Sequence, residues 1–175
     1  MVVAEVLQQL ISQKKIYTSP KNFNSEVGLI LSIFQIESYE PTAAHILSIF
    51  FKIFFQTLFP KNTPDILVLE YGIDHLHDMK YLTAISKADI AIFTKLDAVH
   101  GANFRSIEAI GVEKFLLMKG ARKRVYLNGL DDYCRTHAEN LGAEVKFYNQ
   151  GNLEVERTTY EVEEGKAYLK ASGSF

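Results

Sequence analysis

Glu70 is a carboxylate that directly follows an apolar, strand-like run. Residues 65–70 are DILVLE, and Gly72 comes two residues later. A carboxylate at the end of a buried strand is costly unless it is paired or binds a cation, and a glycine lets a ligand approach the backbone. Glu70 is therefore a candidate metal ligand. The alternative, a carboxylate that caps the next helix, is equally compatible with this segment taken alone.

A second set of reactive side chains follows the next strand-like run, at 89–94. Residues 94–100 are TKLDAVH, so a hydroxyl, an acid and an imidazole lie within seven residues. Such a loop suits a phosphate or metal site, although polar loops commonly follow strands. His100 is a candidate ligand here, and an exposed loop histidine is the alternative.

Lys114 lies on the apolar side of a predicted helix at 106–119, with Ser106 as its N-cap and Gly120 just past its end. The residues that share one face at helical spacing are Ile107, Ile110, Lys114 and Leu117. Burying an ammonium group is unfavourable without a nearby anion. Lys114 therefore either extends its stem to the surface or serves a site.

An amide and two carboxylates follow the third strand-like run, at 124–127. Residues 127–132 are LNGLDD. The side chain of Asn128 carries a donor and an acceptor that could recognise the edge of a ligand. Asp131 and Asp132 are candidates for the same site, with capping of the following helix as the alternative.

The elements that must position these residues alternate regularly. Strand-like runs lie at 65–70, 89–94, 124–127 and 144–148, and helix-like segments lie at 2–15, 75–87, 106–119 and 131–141. The pattern predicts an α/β fold with a mostly parallel, doubly wound sheet flanked by helices, in which 65–70 and 89–94 are adjacent parallel strands. In such a sheet ligands bind at the carboxyl ends of the strands. The segments 153–161 and 166–170 alternate polar and apolar residues, which predicts a C-terminal antiparallel hairpin turning at Glu164-Gly165.

The most apolar segment, 46–59, has the sequence ILSIFFKIFFQTLF. It is too short and too interrupted for a membrane span, which needs about 20 apolar residues. The polar residues that recur at helical spacing are His45, Ser48, Lys52 and Gln56. We expect a largely buried helix with one solvent-exposed edge. A partner-binding helix or a membrane-surface helix is the alternative.

The composition limits the classes of protein to which the chain could belong. The chain has 175 residues, a formal net charge of -2, 47% hydrophobic residues and one cysteine. These values predict a single globular domain over 1–175 and exclude a disordered chain or a strongly basic nucleic-acid binder. Because Cys134 cannot form an internal disulfide and no signal peptide opens the chain, we expect a cytoplasmic protein.

The order of these motifs resembles the central, ATP-binding domain of the Mur ligases, closest to the branch that adds D-alanyl-D-alanine to UDP-MurNAc-tripeptide. That family's pattern runs N-x-N-x-x-x-G, V-x-E-x-G, D-I-x-x-x-T, a loop histidine, an S-x-E-x-I helix with a lysine, and L-N-x-D-D. The matching segments here are 22–28, 68–72, 89–94, His100, 106–114, and 127–128 with 131–132.

The resemblance implies a role for each matched residue. Glu70 and His100 would help to hold Mg²⁺, and Lys114 would be carbamylated and share that metal. Asn128 would lie near the adenine of ATP, with Asp132 in the same nucleotide site. The loop that contains Asn22 and Asn24 would face the UDP-MurNAc-peptide.

The sequence also departs from the family. It contains no G-x-x-G-K-[ST] phosphate loop, and it has His77-Asp78 where the family usually has Gly-Glu. The uridine-nucleotide domain and the amino-acid-binding domain of the full-length relatives are also unmatched. We therefore expect a fragment or truncated paralogue, inactive by itself, with ATP and Mg²⁺ bound weakly or not at all.

Two other functions compete with this one. A metal-dependent hydrolase is suggested by His75-Leu76-His77-Asp78, although the aspartate comes one residue too early and the alternative is a helix start with two exposed histidines. A non-catalytic α/β module would use the Phe-rich helix as its contact face, which requires a large exposed apolar patch there. We expect no nucleic-acid partner and no membrane span.

Overall fold

A computed structural model of the chain describes residues 7, 11, 13–19, 23–60, 63–96 and 103–149, and the backbone of 157–163 and 166–172. The chain divides into two compact units, Met1–Ser86 and Lys87–Phe175. None of the helices in these described ranges is long and apolar enough to cross a membrane.

Two short strands and three helices of the first unit lie wholly within the described residues. Its elements are β1 (Ile16–Thr18), α1 (Glu26–Ile33), α2 (Ala43–Leu58), β2 (Ile66–Val68) and α3 (Asp78–Ile85). The strands β1 and β2 pair in parallel, with Ile16 opposite Ile66. The Asp65 carboxylate accepts a hydrogen bond from the Lys15 backbone N–H at 2.9 Å, next to this pairing.

Helix α1 begins at a cap that its sequence supplies. The Ser25 hydroxyl accepts a hydrogen bond from the Gly28 N–H at 3.4 Å, which satisfies one of the free donors in the first turn. Its Leu29 and Leu31 are buried with Met79 and Leu82 of α3. Helix α1 thus contributes to the core of this unit.

Helix α2 differs from the prediction of a largely buried helix. None of its residues is buried, and Phe50, Phe54 and Phe55 are 61%, 49% and 55% exposed. Its start follows the sequence, because the Thr42 hydroxyl accepts from the His45 N–H. An apolar helix sequence predicts that the side chains are shielded from water, but it does not specify whether this chain or another molecule shields them.

The second unit is built on a three-stranded parallel sheet in the order β3-β4-β5. Its elements are β3 (Ile90–Ile92), α4 (Ile107–Gly120), β4 (Arg124–Asn128), α5 (Asp132–His137), a 3₁₀ turn (Ala138–Asn140), β5 (Glu144–Tyr148), β6 (Arg157–Glu163) and β7 (Lys166–Ser172). Each parallel pair is joined by a helical crossover, as parallel pairing requires. The predicted C-terminal hairpin is confirmed: β6 and β7 pair antiparallel, while its turn at 164–165 lies outside the described residues.

The core of the second unit lies on one face of this sheet. Val125 and Leu127, two residues apart on β4, both lie on that face and are fully buried. Phe115 of α4 packs in the same core and is 1% exposed. Helices α4 and α5 meet closely, because a Cβ at Gly111 would lie 2.6 Å from the Tyr133 ring. The glycine is therefore required by the helix contact.

The predicted α/β class and the parallel pairing within the sheets are confirmed, but two details differ. The strands near 65–70 and 89–94, expected to be neighbours, pair elsewhere: β2 with β1, and β3 with β4. The strand β1 was not predicted, because three residues are too few to show a period. Most of the helix predicted at 2–15 lies outside the described residues.

Candidate functional site

Glu70 and Asn24 meet at the end of β2. The Asn24 Nδ2 donates a hydrogen bond to Glu70 Oε1 at 3.3 Å, and the Asn24 carbonyl accepts one from the Gly72 N–H at 2.9 Å. Glu70 is exposed, so its charge is hydrated and carries little burial cost. Two residues predicted from separate motifs are thus in contact.

Two glycines make this contact possible. A Cβ at Gly28 would lie 2.6 Å from the Phe23 backbone, and a Cβ at Gly72 would lie 2.8 Å from the Asn24 side chain. Both distances are far inside van der Waals contact. Gly72 therefore allows Asn24 to approach the end of β2, and Gly28 allows the preceding residue, Phe23, to pack closely on α1.

Lys114 lies at the carboxyl end of β3. Its Nζ donates a hydrogen bond to the Lys95 carbonyl at 3.0 Å, and its side chain is half-buried. Ile110 of the same helix is buried, whereas Ile107 is 50% exposed, so the predicted apolar stripe turns inward only in part. The amine is nevertheless directed toward a strand end.

Glu113 is a buried acid that was not among the predicted site residues. It is 4% exposed and lies beside Lys114 in α4. Glu113 lies at helical spacing from Ile110 and Leu117, as Lys114 does, so spacing alone does not decide which of the two charged side chains is buried.

The polar residues in the turn after β4 have different roles. Asp131 caps α5, accepting from the Tyr133 N–H at 3.0 Å and the Cys134 N–H at 3.3 Å, and its Oδ2 accepts from the Leu96 N–H at 3.3 Å. Asp132 pairs with Arg135 and is otherwise exposed. Capping by Asp131 is therefore confirmed, and a nucleotide role for Asp132 stays a prediction.

Asn128 supports the same turn through its side-chain oxygen. Its Oδ1 accepts from the Leu130 N–H at 3.1 Å and from Asn149 Nδ2 at 3.3 Å. Half of the amide is thus already used within the protein. Recognition of adenine by Asn128 remains a prediction that would have to rely on its Nδ2 donor.

The strand ends of this sheet are tied together by Tyr148. Its hydroxyl donates to the Phe93 carbonyl at 2.7 Å and lies 3.2 Å from the Thr94 carbonyl. Burial raises the pKa of the Tyr148 hydroxyl, and nearby Cys134 and Asp131 add to that effect. The hydroxyl therefore stays protonated and remains a donor at neutral pH.

The segment His75-Leu76-His77-Asp78 is a helix start. The Asp78 Oδ2 accepts from the backbone N–H groups of Asp74 and His75, at 2.8 and 2.7 Å, and α3 begins at Asp78. Both histidines are exposed. The carboxylate is hydrogen-bonded to the backbone that precedes the helix, which confirms a helix start with two exposed histidines and leaves the hydrolase hypothesis without support.

The predicted magnesium set is only partly described. Glu70 belongs to the first unit and Lys114 to the second, while His100 and Asn22 lie outside the described residues. Within the described ranges, no group of three or more His, Cys, Asp or Glu residues could hold a metal ion. Sharing of one metal by Glu70, His100 and Lys114 therefore stays a prediction.

The donors at the end of β2 suit a hard cation. The Glu70 carboxylate and the Asn24 amide both offer oxygen atoms, the ligands that Mg²⁺ prefers. Mg²⁺ commonly takes only one or two carboxylates from the protein and completes its shell with water and phosphate. A single exposed carboxylate with a neighbouring amide fits that mode of binding.

The sequence matches a known family along nearly its whole length. Residues 2–173 match the Mur ligase middle domain. The UDP-N-acetylmuramoyl-tripeptide–D-alanyl-D-alanine ligase of Borreliella burgdorferi is 25% identical over 162 residues, covering 89% of this chain and 30% of that protein. The chain thus spans about 30% of the length of this curated relative.

Two solved structures have the same fold. MurF from Acinetobacter baumannii aligns with a TM-score of 0.58 at 13% identity, over 83% of this chain and 28% of that one. MurF ligase from Thermotoga maritima, in complex with ADP, aligns with a TM-score of 0.51 at 14% identity, over 96% and 40% of the two chains.

Proposed function

The chain belongs to the Mur ligase family through its middle domain, and we propose that it is the ATP-binding domain of a ligase of peptidoglycan precursor synthesis. The proposed reaction is ATP-dependent amide formation in the cytoplasm. The substrates are UDP-MurNAc-tripeptide and D-alanyl-D-alanine, whose amine replaces phosphate on the activated tripeptide carboxylate. The family match over residues 2–173 carries this proposal.

The chain's own residues would bind and orient the reactants. When bound, Mg²⁺ would neutralise phosphate charge during transfer from the substrate ATP. Glu70, with its exposed carboxylate at the end of β2, would be one ligand. His100 and a carbamylated Lys114 would be the others, and the amine of Lys114 at the end of β3 supports this assignment.

Nucleotide and peptide binding would use the remaining strand ends. Asn128 and Asp132, at the turn after β4, would lie near the nucleotide. Asn22 and Asn24 would lie on the substrate side of the loop that precedes α1. The contact of Asn24 with Glu70 supports placing the substrate loop beside the metal.

Titration of the full chain with Mn²⁺, followed by the electron paramagnetic resonance of the free ion, tests the metal site. We expect weak binding that is strengthened by ADP, abolished by Glu70→Ala and reduced by Lys114→Met. Lys119→Met is the matched control, because Lys119 lies on the same helix and is exposed.

Each outcome bears on a different part of the proposal. Binding unaffected by Glu70→Ala would remove the magnesium role from this strand end. Binding that falls equally in Lys114→Met and Lys119→Met would show a general effect of charge and would overturn the specific role of Lys114.

A second candidate function rests on the exposure of α2. Five phenylalanines lie on or directly after this helix, namely Phe50, Phe51, Phe54, Phe55 and Phe59, and each is about half exposed or more. This is the apolar patch that a non-catalytic interaction module would require. A chain that binds neither Mn²⁺ nor ADP, yet associates through α2, would favour this candidate over the ligase domain.

A further inference from the structure

We propose that Asn24 is a positioning residue for Glu70: its side-chain amide holds the carboxylate at the end of β2 ready to bind a cation. This inference rests on the proposed function, in which Glu70 is a magnesium ligand. It gives Asn24 a role in addition to the substrate contact implied by the family resemblance.

Hydrogen bonds of the backbone fix the position of Asn24 independently of its side chain. Its carbonyl accepts the Gly72 N–H at 2.9 Å, which ties residue 24 to the segment directly after Glu70. The next residue, Ser25, caps α1. Asn24 is therefore held between a strand end and a helix start, so its side chain extends from a defined backbone.

The side chain of Asn24 makes a directional contact. Its Nδ2 donates to Glu70 Oε1 at 3.3 Å, which uses one carboxylate oxygen and leaves Oε2 as an acceptor. The contact thus leaves Glu70 with an oxygen atom of the type that a hard divalent cation prefers.

Positioning matters because Glu70 is exposed. A free glutamate side chain loses rotamer freedom when it binds a cation, and a hydrogen bond that restricts it beforehand lowers that cost. Hydrogen-bond partners of metal ligands commonly change metal affinity by about 10- to 100-fold. For an exposed carboxylate we expect the lower end of that range.

Gly72 is part of the same arrangement. A Cβ at this position would lie 2.8 Å from Asn24 Cγ and 2.9 Å from Nδ2. Gly72→Ala must therefore displace the amide while leaving the chemical groups of Asn24 and Glu70 unchanged. This provides a second way to break the contact.

Mn²⁺ titration of the full chain tests the proposal. Asn24→Ala and Gly72→Ala should each weaken Mn²⁺ binding by about tenfold. The double variant should bind no more weakly than either single variant, because both changes break one contact. Ser25→Ala is the control: it removes a helix cap next to Asn24 and lowers stability, but it should leave Mn²⁺ affinity unchanged.

A second measurement needs no metal. The Asn24 side-chain amide protons, observed by NMR in the full chain, should change chemical shift and exchange faster with water in Glu70→Ala than in the wild type.

The results separate this proposal from the one on which it rests. Unchanged Mn²⁺ affinity in Asn24→Ala, or a loss that Ser25→Ala reproduces, overturns the positioning role. If the wild-type chain binds no Mn²⁺ even with ADP present, the metal role of Glu70 is wrong. The NMR comparison then decides the contact: identical Asn24 amide signals in wild type and Glu70→Ala overturn it.

Discussion

At the scale of single residues, His77 adopts a backbone conformation that its type disfavours. Its φ is 78°, in the left-handed region, at the residue before α3. A side chain with a Cβ is strained there by about 1 kcal/mol, whereas glycine is not. The family resemblance places a glycine at this position, and the backbone conformation explains why.

His77→Gly should therefore stabilise the protein by up to about 1 kcal/mol, since the relief of strain exceeds the added flexibility of the unfolded chain. The free energy of unfolding in urea measures this change. His75→Gly, the same substitution at an exposed position without positive φ, should instead destabilise by about 0.5–1 kcal/mol. Equal effects of the two substitutions would show that His77 is not strained.

Cys134 carries a buried thiol whose ionisation should affect the stability of the protein. It is fully buried, and burial, with a contribution from Asp131, raises the pKa of its thiol from 9.0 to about 11. The folded state thus favours the protonated thiol. This contribution to stability is complete below pH 9 and is lost as the pH rises toward 11.

The free energy of unfolding should consequently fall by about 1.4 kcal/mol between pH 7 and pH 10 on account of this thiol. Cys134→Ala should be less stable at pH 7 but should show a shallower fall over the same range. Tyr133, whose pKa is raised to about 12 chiefly by burial, contributes in both proteins, and the charge of Cys134 adds to its pKa only in the wild type. Parallel pH profiles would mean that Cys134 does not ionise on unfolding.

At the scale of elements, the sequence predicted those segments whose period is unambiguous. The strand β4 alternates half-buried and buried residues around Val125 and Leu127, and its helix partners carry recognisable caps at Ser106 and Asp131. β1 escaped prediction because it has three residues. The contact of Asn24 with Glu70 escaped because it depends on how two glycines pack, which no local pattern specifies.

The burial of α2 was predicted wrongly, and its exposure can be tested. Phe50→Ser with Phe54→Ser should lower the fluorescence of bound 1-anilinonaphthalene-8-sulfonate, because both rings are exposed. Stability should change by less than about 1 kcal/mol. Phe115→Ala, at a buried ring, should instead cost about 3–5 kcal/mol. A large loss of stability in the α2 variant would mean that those rings are covered in solution.

At the scale of the whole molecule, these 175 residues contain strand-end groups suited to a metal but no phosphate loop. Phosphoryl transfer depends on positioned donors around the phosphates. We therefore expect no ATP turnover by this chain alone, measured as release of inorganic phosphate and compared with Glu70→Ala. Phosphate release that requires Glu70 would contradict this expectation.

The segment that connects β1 with β2 can change in length at a small cost in free energy. Fifty residues separate Lys15 from Asp65, which meet beside this pair, and α2 lies within that loop. The entropy of closing a loop rises only with the logarithm of its length, so halving this one would change the closure free energy by about 0.6 kcal/mol. The Phe-rich helix can therefore be gained, shortened or lost in evolution at almost no cost to the strands beside Glu70.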